Sequence, residues 1–156
     1  MTAIPAALLH ATIDLLTEVE TAARPADAVT SGWLRSRRDL DDAARGAVLE
    51  QLYALMRHRA RLGWWLARNG HADTPRNRVQ VWQDRAGAMD HPDMPEDIRL
   101  ECPDWATAAM RARFGAGFGA EMAAMLAPPP LDLRVNPMKS TRDGMLRDLQ
   151  RLGIAA

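Results

Sequence analysis

Cysteine and lysine are almost missing from this chain: Cys102 and Lys139 stand alone among 156 residues. One cysteine excludes an internal disulfide and fits a reducing compartment, so a cytoplasmic protein is expected. Net charge is missing too, because twenty basic residues cancel twenty acidic ones. No global field then draws the chain to nucleic acid, and any such binding has to come from a local patch. No apolar run approaches the ~20 residues of a membrane span, and MTAIPAALLH carries no basic segment before its apolar residues, so neither a span nor a signal peptide is expected. His10, His58, His71 and His91 lie at no metal-ligand spacing with one another or with Cys102. Cys102 has no sequence-fixed base beside it and reads as an inert, half-buried thiol. There is no Walker lysine motif, no serine elbow and no carboxylate pair at catalytic spacing. The glycines of GAGFG, Gly115 to Gly119, follow no strand and lack the full spacing of a phosphate-binding loop, so they read as a helix break. No catalytic site is legible.

What is present is a soluble, globular composition, 47% hydrophobic and 26% charged, long enough for one domain plus a small attachment. The longest proline-free helical pattern, DLDDAARGAVLEQLYALMRHRARLGWWLAR, runs from Asp39 to Arg68. Asp39, Asp41 and Asp42 suit a helix start and Asn69-Gly70 a helix end. At about 100° per residue Val48, Leu52, Leu55, Leu62 and Leu66 share one arc, widened by Leu49, Tyr53 and Met56. Arg45 and Arg59 project into that arc, where each needs a carboxylate or carbonyl partner, and both are assigned to structure.

Around this element the pattern predicts helices over Pro5–Ala23, with Leu8, Thr12, Leu15, Leu16 and Val19 on one face, and over Ala26–Arg37, with Val29, Trp33 and Leu34 buried. Further helices are expected at Arg76–Ala88, at Pro103–Phe114 with Trp105, Ala109 and Met110 as its apolar side, and at Ala120–Leu126. HADTPRN and HPDMPEDI read as loops. After Pro128-Pro129-Pro130 the period changes. Leu131, Leu133 and Val135 alternate with Asp132, Arg134 and Asn136 as in a strand, which Pro137 ends. Ser140-Thr141 then opens a helix carrying Met145, Leu146, Leu149 and Leu152, and Ile154-Ala155-Ala156 resembles the first residues of a second strand. One strand and one helix cannot bury both faces or satisfy an edge, so the chain is expected to stop inside a domain.

Basic residues cluster in two places. Arg57, Arg61 and Arg68 fall on one helical line, and Arg35, Arg37 and Arg38 precede the long helix. A line of arginines can follow a phosphate backbone, and Trp64 or Trp65 beside it can stack on a base. The bland alternative is a solvated face with the tryptophans in helix contacts.

Three features of the second half belong together: Pro103-Asp104-Trp105 at a helix start, Arg113-Phe114-Gly115, and a proline-rich link into Leu133-Arg134-Val135-Asn136 with Lys139 soon after. Over residues 101–154 this resembles the region before the catalytic domain of the bacterial ribosomal RNA cytosine-5-methyltransferases, the Sun (RsmB-like) family. The part before it, with Arg45 near the head of a long helix and Arg57, Arg59 and Arg61 towards its end, is similar to that family's NusB-like helical domain. The resemblance implies a mainly α chain: a NusB-like helical RNA-binding domain over 1–127, then over 128–156 a linker and the start, one strand and one helix, of a small α/β RNA-recognition-like subdomain. It implies ribosomal RNA as partner, held through Arg35, Arg37, Arg38, Arg57, Arg61, Arg68, Arg134, Asn136 and Lys139, together with the protein's own C-terminal methyltransferase domain.

In the family, one cysteine adds to the cytosine ring, S-adenosylmethionine supplies the methyl group, and a second cysteine helps release the product. Cys102 is in the wrong context for either, and the cofactor loop is missing. The chain is therefore expected to be an N-terminal fragment or truncated product, with no cofactor of its own and inactive alone. Two other roles remain open: a NusB-like antitermination module acting through protein contacts, and a structural module packing on its own catalytic domain.

Overall fold

The computed structural model describes residues 5–85, 88–127, 129 and 132–154. Among them the chain is mainly α, as the patterning predicts, and no strand is formed. It divides into two compact units, residues 1–126 and 127–156.

In the first unit a 3-10 turn, Ala6–Leu8, leads into α1 (Leu9–Thr21), followed by α2 (Ala26–Ser36) and α3 (Asp42–Arg57). Asp41 caps α3 by accepting the Ala44 amide at 2.8 Å, which satisfies one of the free donors of a first turn. α4 (Arg59–Arg68) ends on Gly70, whose φ of 67° lets the His71 amide reach back to the Leu66 carbonyl and the Gly70 amide to Ala67. That is the glycine-dependent stop the Asn69-Gly70 pair predicts. α5 (Pro75–Arg85), the short α6 (Glu96–Arg99), α7 (Asp104–Phe114), a 3-10 turn at Gly115–Gly117 and α8 (Phe118–Leu126) complete the unit.

The core forms where the 3.6-residue period puts it. Val48, Leu52, Leu55, Leu62 and Leu66 are all buried, against Leu15 and Leu16 of α1, Trp33 of α2, and Val79, Val81 and Trp82 of α5. Trp82 donates its indole N–H to Gln51 Oε1 at 2.8 Å, so neither buried polar atom is orphaned. A smaller cluster joins Cys102, Phe118 and Met122 to the half-buried Met110 and Phe114.

Five expectations need correction. The helix predicted from Asp39 to Arg68 is two helices, broken at His58. HADTPRN and HPDMPEDI are not all loop, since α5 begins at Pro75 and α6 at Glu96. Trp105, assigned to a buried side of α7, is 87% exposed, because α7 buries its other face on α8. The strand expected from Leu131 to Val135 is not formed: residues 132–136 carry no regular structure, and Leu131 lies outside the described residues. A strand exists only as a hydrogen-bonded pair, and 132–136 have no partner among the described residues. The second strand expected at Ile154 is likewise absent there, and Ala155 and Ala156 lie outside the described residues.

In the second unit α9 (Arg142–Arg151) is capped by the Thr141 hydroxyl, which accepts the Gly144 amide at 3.1 Å. Gly153 ends it at φ 73°, with the Ile154 amide on the Leu149 carbonyl. Met145, Leu146 and Leu149 are half-buried on one face, and Leu152 is exposed.

Candidate nucleic-acid interface

No proline explains the break between α3 and α4. A side chain does. Glu101, 41 residues downstream of Ala60, accepts the Ala60 amide at 2.7 Å and, with its other oxygen, the Arg61 amide at 2.9 Å. The carboxylate thus takes two donors that an uninterrupted helix would give to its own carbonyls, and caps the positive end of α4. Glu101 is the one non-glycine residue at positive φ (51°) among the described residues, an unfavourable conformation held by the contacts around it. Its side chain is 7% exposed. Burial pushes its carboxyl above the ordinary 4.5, against the opposing pull of the two amides and Arg61. His58, at the break, has its Nδ1 2.9 Å from the Ala54 carbonyl, and burial lowers its pKa.

The break also divides the expected arginine line. Arg57 ends α3, whereas Arg61 and Arg68 lie on α4. Arg61 is turned inward: it donates to the Arg99 carbonyl, its Nε at 2.8 Å, and pairs with Asp90 at 3.2 Å. Arg68 pairs with Asp93 at 3.0 Å and lies over the Trp64 ring at 5.1 Å. Arg37 makes a two-pronged contact with Asp39 and covers Trp33. Arg45 donates to the Arg37 carbonyl at 3.0 Å, and Arg59 pairs with Glu20 at 2.7 Å while staying 60% exposed. Arg35 in the last turn of α2 and Arg38 just after it are exposed, with no side-chain partner among the described residues, and Arg57 is half-buried with its Nε unpaired. In the second unit Arg134, Asn136 and Lys139 are all exposed. Asn136 shapes the turn, accepting the Met138 amide on its side chain and the Lys139 and Ser140 amides on its carbonyl.

The tryptophan pair divides as well. Trp65 is core, donating to the Met89 carbonyl at 2.9 Å. Trp64 is half-buried, edge-on to Trp65 and tilted against His91.

Sequence reasoning missed the charged network at the end of α1. Arg78, with its side chain 6% exposed, bridges Glu20 and Asp73, and Arg59 shares the Glu20 carboxylate. The Arg78 hydrogen bond holds the Asp73 carboxyl below its ordinary value. The one available signal was an arginine beside Val79 on the buried side of a short helix. Beside the network lies a cavity of about 250 Å³, lined by the apolar Leu16, Val19, Leu55 and Met56 and by Glu20, Arg59 and Arg78 of the network itself. A second cavity, of about 430 Å³, shares Met56 and Arg59 with the first and adds Arg57, Cys102 and the carboxylates Asp73 and Glu101.

Gly115–Gly119 breaks a helix, as expected. Gly115, at φ 51°, ends α7, and the run joins two helices with no strand before it. No group of three or more metal-ligating side chains occurs among the described residues, and no helix of theirs is long and apolar enough to cross a membrane.

Comparison with known proteins gives one finding. Residues 102–156 match the family described as Methyltr_RsmF/B-like, ferredoxin-like domain, a stretch that begins at Cys102 and takes in α7, α8 and α9. No curated protein and no solved structure matches the chain.

Proposed function

We infer that the chain works within an RsmF/B-like methyltransferase, since residues 102–156 match that family's ferredoxin-like domain. The reading this match supports best is the RNA-binding N-terminal region of an S-adenosylmethionine-dependent ribosomal RNA (cytosine-C5)-methyltransferase, acting in the cytoplasm. The family match carries this reading. When bound in such an enzyme, S-adenosylmethionine supplies the methyl group; the residues of this chain serve to hold RNA for that step. The basic side chains free to do so include Arg35, Arg38 and Arg57 in the first unit and Arg134 and Lys139 in the second. Arg37, Arg61 and Arg68 contribute field while holding their internal partners.

The test is anisotropy of a labelled ribosomal RNA fragment titrated with the chain at several salt concentrations. Binding is expected, with log K falling linearly in log salt, and Arg35→Ala with Arg38→Ala should flatten the slope by about 1.4, at about 0.7 per phosphate of a single strand. Absence of RNA binding at moderate salt sinks the reading.

One observation favours a second role for the same region, packing on its own catalytic domain. Trp105 at 87% and Met125 at 65% exposure stand on α7 and α8, where a large aromatic ring gains nothing from water. In this chain Trp105→Ala should therefore shift stability by no more than about 0.5 kcal/mol in urea titration. A larger loss would show the ring to be packed within the chain itself.

A further inference from the structure

We propose that the end of the bundle where α1 stops, α3 breaks and α5 starts is a single-stranded nucleotide site, with Arg24, Arg57, Arg59 and Arg76 on the phosphates and one base in the cavity lined by Leu16, Val19, Leu55 and Met56. The site rests on the RNA-binding reading and gives it a location that the arginine line of the sequence did not.

Topology brings these residues together. Arg78 on α5 reaches both Glu20 on α1 and Asp73 before α5, and Arg59 reaches the same Glu20 from the start of α4. Arg24 follows Glu20 by four residues and Arg76 precedes Arg78 by two, which bounds each within about 14 Å of that network by chain length alone. Arg24 and Arg76 are exposed and make no ion pair or side-chain hydrogen bond with the described residues. The acids of the network, Glu20 and Asp73, are engaged by Arg78, and Arg59 shares Glu20, so Arg24, Arg57 and Arg76 are the cations of this end with no carboxylate partner among the described residues, against the exposed acid Glu18.

The cavity supplies what a charged patch lacks. Four of its lining residues are apolar and its charged ones, Glu20, Arg59 and Arg78, are paired with one another, its volume of about 250 Å³ is too small for a dinucleotide cofactor, and Arg59 stands 60% exposed. Met56, 39% exposed, and Arg59 are shared with the adjoining cavity that Arg57 lines, so the groove continues past the break at His58. A planar ring can enter the apolar part while the backbone follows the guanidinium groups. A duplex cannot offer a base in this way, because its bases are stacked and paired, so an unpaired strand is the occupant. An acidic protein segment would satisfy the arginines but not the cavity's call for a flat apolar ring.

The experiment is anisotropy of the whole chain with a ribo-oligonucleotide of about ten nucleotides, a fully abasic strand of equal length, and a duplex. The normal strand should bind about tenfold more tightly than the abasic strand, with the same salt slope. Arg24→Ala with Arg76→Ala should lower the slope by about 1.4, so that a fourfold rise in salt weakens the variant about sevenfold less than the parent. Both residues are exposed, so an unchanged urea midpoint is the check that the fold is intact. Met56→Phe, which fills the mouth of the cavity, should erase the preference for the normal over the abasic strand and leave the slope alone. If the parent binds RNA while neither variant changes it, the site is refuted and the family reading stands. If an acidic peptide displaces the strand at equal concentration, the surface is a protein contact and the proposal falls. If the parent binds no RNA, both readings fall together.

Discussion

Glu101→Ala is expected to lower the unfolding free energy by about 2–4 kcal/mol in urea titration. The carboxylate is 7% exposed and accepts two amides at the start of α4. Its loss leaves those amides unpaired, and Arg61 loses one of the acids beside it. The Ala60 amide lies near solvent and recovers a water in part, which keeps the figure below that of a fully enclosed pair. Glu101→Gln retains one acceptor oxygen and should lose about half as much. The pH dependence separates burial from hydrogen bonding. Burial is the largest influence on this carboxyl and raises its pKa above 4.5, so the folded chain holds the proton more tightly than the unfolded chain does. Stability from that difference is fully present at low pH and is lost as pH climbs through the raised value. The parent's advantage over Glu101→Gln should therefore shrink as pH rises past 4.5. An advantage that grows instead would mean that the two amides, not burial, govern the group.

Glu101 also shows why a break in the central helix was invisible to local patterning. Nothing beside His58 marks a helix end: the stretch from Asp42 to Arg68 has no proline, its glycines Gly46 and Gly63 lie away from the break, and its apolar positions keep the same arc on both sides of His58. The competing interaction comes from 41 residues away and from a backbone conformation that glutamate rarely adopts. Long-range carboxylate capping leaves no mark in a helical window. The buried arc itself was legible, because Val48, Leu52, Leu55, Leu62 and Leu66 need only the helical period to be placed, and so was the stop at Gly70. Trp105 was misplaced for a related reason. Pattern reading assigns a large aromatic ring to a core, whereas α7 turns Met110 and Phe114 inward and leaves Trp105 out.

The arginines divide along the same line. Spacing put Arg57, Arg61 and Arg68 in a row, but it could not supply the acids and carbonyls brought up by the segment from Asp90 to Arg99, which now hold Arg61 and Arg68. With a single lysine and nineteen arginines, the chain uses guanidinium both for internal bridging and for outward charge. Only folding tells the two uses apart. Arg24 and Arg76, unremarkable in the sequence, are left outward, while Arg78, two residues from Arg76, is sealed inside.

Arg78 is the clearest internal case. Arg78→Ala should cost about 3 kcal/mol, because it empties a buried volume and removes the one cation between Glu20 and Asp73. Arg78→Met, which keeps much of the length and apolar contact, should lose about half of that, since Glu20 retains Arg59 and Asp73 turns to solvent. The pH signature is opposite to that of Glu101. The Arg78 hydrogen bond pulls Asp73 below its ordinary 3.8, so the folded chain binds that proton more weakly than the unfolded chain does. This contribution is present above 3.8 and is lost as pH falls through the depressed value. Urea midpoints followed from neutral pH into acid should thus fall less steeply in Arg78→Met than in the parent. If the two lines run parallel, Asp73 titrates independently of Arg78, and the bridge from α1 to α5 is carried by Glu20 alone.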